Sequence, residues 1–219
     1  SPIPCPRNTR GNTVLLKPSS DSPIIAAKFI EVMEKCGLPA GVINFVPGSG
    51  REVGEYIITH PKTRFIAFTG SKEVGLHINV EAAKARDGQI RIKRTVLEMG
   101  GKDSIVVDDD CNLDDAARGV VAAAFGFQGQ KCSACSRAIV HEKVYDQFVK
   151  KVVPLVNSLK QGAPSDSKDV NMGPVINASA TESILGYIEA GKAEGERLAG
   201  GMRAAGNGYF IQPTVFGNV

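Results

Sequence analysis

Arg64-Phe65-Ile66-Ala67-Phe68-Thr69-Gly70-Ser71 reads as a buried strand that runs into a glycine turn, and a helical pattern over 73–86 follows it. Aromatic and β-branched residues bounded by turn formers mark a strand, and a hydroxyl residue ahead of an acidic first turn marks a helix start. The same strand–turn–helix unit occurs twice upstream. Thr13-Val14-Leu15-Leu16 leads through Lys17-Pro18-Ser19-Ser20 to a helix over 24–36, opened by Ser22-Pro23 and stopped by Gly37-Leu38-Pro39. Ser22 is a candidate hydroxyl cap, and proline suits the first helical turn. Val42-Ile43-Asn44-Phe45-Val46 leads through Pro47-Gly48-Ser49-Gly50 to a helix over 52–59. Three such units in a row predict an α/β fold with right-handed parallel crossovers. Ligands of these sheets bind beyond the carboxyl ends of the strands. Lys17, Gly48, Ser49, Gly50, Thr69, Gly70 and Ser71 lie there.

After Gly88 the pattern changes. A strand over 94–97 enters Glu98-Met99-Gly100-Gly101, and 104–107 reads as a further strand. An Ala- and Val-rich helix starts near Leu113, with Asp114 and Asp115 in the first turn, where the helix dipole favours acids. It ends near Gly126-Phe127-Gln128-Gly129-Gln130-Lys131-Cys132. A strand over 138–140, a helix over 145–160, a loop over 162–173, a helix over 179–194 and a strand over 210–216 complete the reading. A boundary near Glu98 divides the chain into a nucleotide-side part, 1–98, and a second part, 99–219.

Composition excludes several functions. The chain has 219 residues, 26 basic and 23 acidic, for a formal net charge of +3. No basic stripe stands out, which argues against a nucleic-acid partner. No apolar run approaches the roughly 18 residues of a membrane span, so no membrane association is expected. Ser1-Pro2-Ile3-Pro4-Cys5-Pro6-Arg7 lacks an apolar signal-peptide core. Five cysteines form no paired framework, and a reducing, cytoplasmic setting is expected.

Several residues invite chemistry. Gly48-Ser49-Gly50-Arg51-Glu52-Val53-Gly54 places its third glycine one position later than the dinucleotide fingerprint requires. It is either a nucleotide turn or a plain tight turn. Thr69-Gly70-Ser71 precedes a helix, where free N–H groups suit an anion, or else it is a simple cap. Lys17 could meet a ribose hydroxyl or phosphate, or only solvent. Cys132 follows a glycine-flanked polar turn. A thiol beside free N–H groups or a lysine becomes a nucleophile; the alternative is an inert buried cysteine. Cys132 and Cys135 form a C-x-x-C, but no second pair is present and His60, His77 and His141 are isolated. Zinc, which needs about four ligands, is therefore not expected, no metal is assigned, and Cys135 is placed in the core. Glu98 lies between Leu97 and Met99. A carboxylate in an apolar setting can act as a base near neutrality; the alternative is an acid paired with Lys102.

Taken together these residues resemble the aldehyde dehydrogenase superfamily. The stretches that carry the likeness are Gly11-Asn12-Thr13-Val14-Leu15-Leu16-Lys17-Pro18-Ser19, Phe68-Thr69-Gly70-Ser71, Leu97-Glu98-Met99-Gly100-Gly101-Lys102, Gly129-Gln130-Lys131-Cys132 and Tyr209-Phe210-Ile211-Gln212-Pro213-Thr214. The run from Ala124 to Ala134 most resembles the 1-pyrroline-5-carboxylate dehydrogenases, which oxidise L-glutamate γ-semialdehyde in proline and arginine breakdown. The resemblance implies a Rossmann-type parallel sheet followed by part of a catalytic domain. It implies Cys132 as nucleophile and Glu98 as the base for thioester hydrolysis. Lys17, Ser20, Gly50, Gly54, Phe68, Thr69, Gly70, Ser71, Val74 and Gly100 would hold NAD. Ser20 stands where many NAD-selective members carry a glutamate, so NADP use is also expected. Ser133 would hold the substrate's α-carboxylate.

The resemblance covers about 11–219, and 1–10 depart from it. It implies an internal fragment, without the oxyanion-stabilising asparagine, the glutamate that holds the nicotinamide ribose, the substrate-anchoring loop or the oligomerisation strand. The full-length protein is expected to be a homo-oligomer. Loss of oxyanion donors alone costs roughly 10²–10³ in rate, so the isolated chain is expected to be poorly active. The rival readings are another semialdehyde dehydrogenase, such as one for succinate semialdehyde, part of a bifunctional proline-oxidising enzyme, a thiol-redox protein, and a nucleotide-binding module without catalysis.

Overall fold

In the computed structural model, which describes residues 11–219, β1 (Val14–Leu16) and β2 (Ile43–Phe45) pair in parallel, Val14 against Ile43 and Leu16 against Phe45. The divergent first ten residues lie outside the described range. The crossover between these strands is α1 (Pro23–Lys35). Pro23 opens it, where a missing N–H costs nothing. Ser22 corrects the expectation of a hydroxyl cap: at φ −140° and ψ 48° its side chain accepts no hydrogen bond from the helix. The stop is built as glycine predicts. Gly37 takes φ 81°, its N–H reaches Glu34 O at 2.9 Å, and the Leu38 N–H reaches Met33 O at 3.1 Å. That pair of bonds is a Schellman motif.

The helix expected over 52–59 is split into a π-helical turn, Gly50–Gly54, and a short α2 (Glu55–Thr59). Then β3 (Phe65–Thr69) and β4 (Arg94–Glu98) pair in parallel around α3 (Lys72–Ala83), Phe65 against Arg94 and Thr69 against Glu98. Ile58, Ile66, Ile78 and Ala82 form the core here, with Phe68 and Leu97 against it. Among the described residues no ladder joins β2 to β3, so the three predicted units yield two parallel pairs. These elements belong to one compact unit, which ends at Met99.

Lys93, at the entrance to β4, is a buried cation with 6% exposure, and its Nζ donates to Ile58 O at 2.8 Å. Burial, helped by the nearby Arg86 charge, holds its pKa below the ordinary lysine value of 10.5. The unfolded chain therefore binds this proton more tightly. Stability should rise with pH between the lowered folded value and 10.5. Lys93→Met keeps the stem's apolar volume and should abolish that rise. Denaturant midpoints of both proteins across the alkaline range would check this, and an undiminished rise in the variant would count against it.

The second unit runs Gly100–Val219. Its β5 (Asp103–Val107) and β6 (Cys135–Val140) are parallel, with a bulge after Asp103, and α4 (Leu113–Phe125) connects them. Asn112 caps α4 by accepting from the Asp114 and Asp115 N–H groups at 3.0 and 3.2 Å. Ala117, Val120 and Val121 of α4 pack against Phe148, Val152 and Val156 of α5 (Tyr145–Asn157) over Val107. Next come α6 (Ala178–Glu194) and an antiparallel pair, β7 (Glu196–Ala199) and β8 (Val215–Gly217). The final strand is thus shorter than the predicted 210–216. Pro213 cannot donate to a ladder, and Ile211 makes only an isolated bridge with Arg203. β7 was not expected, because Glu196-Arg197-Leu198-Ala199 has no β-branched residue. No helix among the described residues is long and apolar enough to cross a membrane.

Candidate functional site

The carboxyl ends of β1 and β2 bring Lys17, Ser20, Gly48 and Gly54 together. Lys17 Nζ donates to Pro18 O at 2.6 Å and Gly48 O at 3.3 Å, and the Ser20 hydroxyl donates to the same Gly48 carbonyl at 3.4 Å. The lysine stem lies along Gly54, where an added Cβ would sit 3.8 Å from Cδ and Cε. An ammonium has three donors, so one remains for a ligand. Gly50 faces open space.

The ends of β3 and β4 form a second cluster. Thr69 lies opposite Glu98, and the Gly70 N–H donates to Glu98 O at 3.0 Å. A Cβ on Gly70 would run into the Phe68 ring, and one on Gly75 would lie 2.6 Å from Met99 Sδ. At both positions a larger residue would force the Phe68 or Met99 side chain to shift. Ser71 caps α3 by accepting from the Val74 N–H at 3.3 Å, and Val74 is exposed. The Glu73 carboxyl is held below its ordinary range, first by its own backbone N–H and then by the Ser71 hydroxyl. This carboxylate already answers part of the helix N-terminus, so an anion placed there would meet it.

Glu98 itself is exposed. The expected apolar setting is not provided by its own strand. Alternation along β4 turns Thr95 and Leu97 inward and Val96 and Glu98 outward.

In the second unit, Cys132 stands between α4 and β6. After Gly126 the backbone turns left-handed at three successive residues, Phe127 (φ 56°), Gln128 (φ 54°) and Gly129 (φ 67°). Each non-glycine residue there costs roughly 1–3 kcal/mol. Gly129 has a plain reason: a Cβ would lie 2.8 Å from Ala124 O. The Gln130 N–H closes on Phe127 O, and the Ala134 N–H closes on Lys131 O, both at 3.1 Å. Among the described residues neither the Cys132 nor the Ser133 N–H has a backbone acceptor. The Cys132 and Ser133 side chains are exposed. Cys135 is half-buried against the core, with its thiol donating to Arg137 O at 3.4 Å, and Cys36, Cys111, Cys132 and Cys135 are all free.

Two features of this turn escape a reading of the sequence. Gly101, two residues before β5, packs against the Cys132 backbone: a Cβ would lie 2.5 Å from Cys132 O. Gly100, by contrast, has open space around it. Gln128 points its amide at Gly173, and a cavity of about 250 Å³ opens beside it. The Gly100-Gly101 pair was the available signal for the first, and nothing local signals the second. Elsewhere, Asp108, Asp109 and His141 bring their ligand atoms within 4.8 Å of one another, but Lys143 Nζ already sits 2.7 Å from Asp109.

A family model described as "Aldehyde dehydrogenase family" matches residues 5–219. A "1-pyrroline-5-carboxylate dehydrogenase" from Bacillus mycoides is 55% identical over 209 residues, which is 95% of this chain and 40% of that protein. A protein of the same name from a Geobacillus species is 58% identical over the same shares. Among solved structures, a 1-pyrroline-5-carboxylate dehydrogenase from Thermus with bound NAD superposes with a TM-score of 0.90 at 47% identity, over 94% of this chain and 40% of that one. The chain thus spans about 40% of the length of the curated relatives it matches.

Proposed function

The chain belongs to the aldehyde dehydrogenase family, and from that premise we propose that it forms the thiol-bearing part of an NAD(P)-dependent dehydrogenase that oxidises L-glutamate γ-semialdehyde to glutamate. The observation that carries this reading is the exposed Cys132 on a tight turn whose Cys132 and Ser133 N–H groups are unengaged. The names of the relatives support the substrate.

Cys132 Sγ, as thiolate, attacks the aldehyde carbon. The carbonyl oxygen becomes an oxyanion, which the unengaged Cys132 N–H can stabilise by donating to it. Bound NAD(P) supplies the acceptor for the hydride that leaves this carbon. What remains on Cys132 is a thioester. Glu98 takes a proton from water, whose oxygen attacks the thioester and releases the acid and the thiolate. The Ser133 hydroxyl donates to the substrate's existing α-carboxylate.

The residues present fit a dinucleotide. The Gly48–Gly54 turn and the Lys17 ammonium with its spare donor would take the ribose, and Ser20 carries no charge to repel a ribose phosphate. Phe68, Thr69, Gly70, Ser71, Val74, Gly50 and Gly100 would line the remainder.

The test is a graft in which residues 11–219 replace the matching span of the Bacillus mycoides relative. Reduced nicotinamide would be followed with NAD or NADP. Glutamate semialdehyde should be preferred over butanal, which has no carboxylate, by about 10-fold or more, since a site built to pair a charged group rejects an analogue without it. Ser133→Ala should narrow the preference. No turnover from the graft beside an active relative would sink the proposal.

A further inference from the structure

We propose that Gln128 is a positioning residue: its left-handed backbone drives the side-chain amide against Gly173, and this contact holds the turn from which the Cys132 thiol projects. The proposal rests on the reading of Cys132 as the reactive thiol.

Left-handed non-glycine residues persist only where their surroundings over-determine them. Phe127 offers no such restraint, because its ring is 70% exposed. The restraint must come through Gln128, which is half-buried. Its Nε2 lies 2.9 Å from where a Cβ on Gly173 would stand. Gly173 has no positive φ, so its own backbone does not call for glycine. A side chain at 173 would meet the Gln128 amide first and Pro164 Cγ next, at 3.2 Å. A left-handed glutamine and a glycine with no backbone reason to be one therefore meet at a single contact.

Both sides of that contact are anchored. On one side, two successive turns link Gln128 to the thiol, through Gln130 N–H to Phe127 O and Ala134 N–H to Lys131 O. On the other, Met172 is buried, its N–H donates to Lys160 O, and its carbonyl accepts from the Gly162 N–H, each at 3.1 Å. The adjoining cavity is bordered by Gln128, Gln130, Met172 and Gly173, so removing the amide would enlarge it.

Hydrogen exchange on the 219-residue chain tests the contact without reference to catalysis. Gln128→Ala should speed exchange of the Gln130 and Ala134 amides by about 10-fold or more, while the amides of α5 keep their rates. Gly173→Ala should do the same alone and add less than about 2-fold on top of Gln128→Ala, because both act through one contact. Unchanged exchange in Gln128→Ala, equal acceleration in α5, or full additivity of the pair would overturn the proposal. In the graft, Gln128→Ala should lower kcat about 10-fold and leave the KM for NAD unchanged, as expected for a thiol displaced by a fraction of an ångström. Faster exchange with an unchanged kcat would overturn the positioning role of Gln128, while the role given to Cys132 stands or falls by Cys132→Ala.

Discussion

Replacing Cys132 with Ala in the graft should abolish aldehyde oxidation, with a loss on the order of 10⁴-fold or more, as removal of a nucleophile does in other covalent enzymes. No neighbouring group can substitute. The Cys135 thiol is directed at Arg137 O and packs against the core, and among the described residues the Ser133 hydroxyl makes no hydrogen bond to a group that would activate it. Affinity for NAD should stay within about 2-fold, because Lys17, Ser20, Gly48 and Gly54 are positioned by β1 and β2 alone. Equilibrium binding of NAD beside steady-state rates would separate the two effects. A variant that retains a tenth of the activity would remove Cys132 from the mechanism.

Gly101→Ala should damage turnover strongly although it touches no reacting atom. The new Cβ would lie 2.5 Å from Cys132 O and 3.0 Å from Asp103 Oδ1. A carboxylate can swing aside, but a backbone carbonyl moves only with its turn. That turn is fixed by the pairing of Asp103 with Cys135 and by the Arg137 guanidinium donating to Lys102 O at 2.6 Å. Strain of this kind costs roughly 1–3 kcal/mol, and displacing the thiol by about 1 Å costs about 100-fold in rate. Gly100→Ala is the control, since nothing lies within 4 Å of its added Cβ. Its stability should stay within about 0.5 kcal/mol. Denaturant midpoints of the two variants, with turnover of Gly101→Ala beside the unsubstituted graft, decide the matter. Equal behaviour would mean that the turn yields freely and that the close packing at Gly101 has no consequence.

The elements that the sequence revealed are those whose signals are local. Gly37 stops α1 by a motif complete within a few residues, and Asp114 and Asp115 mark the first turn of α4. Cys132 was legible because glycine and polar residues break an apolar run just before it. Glu98 was legible as a strand end, but its exposure depends on the parity of the alternation along β4, which one residue reverses. Ser22 has a capping residue's chemistry and not its geometry. The pairing of β7 with β8 was not legible, because its partners are about twenty residues apart and, although a strand over 210–216 was expected, Glu196-Arg197-Leu198-Ala199 has no β-branched residue. Gly101 against Cys132 and Gln128 against Gly173 are contacts made in space, across thirty or more residues, and no spacing rule reaches them.

The central claim is that Cys132 carries the substrate as a thioester that Glu98 helps to release. The most direct measurement is mass spectrometry of the Glu98→Gln graft quenched during turnover of glutamate semialdehyde with NAD. The account predicts one acyl group on the peptide that contains Cys132, formed together with one equivalent of reduced nicotinamide and absent after Cys132→Ala. Reduced nicotinamide without an adduct, or an adduct on another residue, would contradict it.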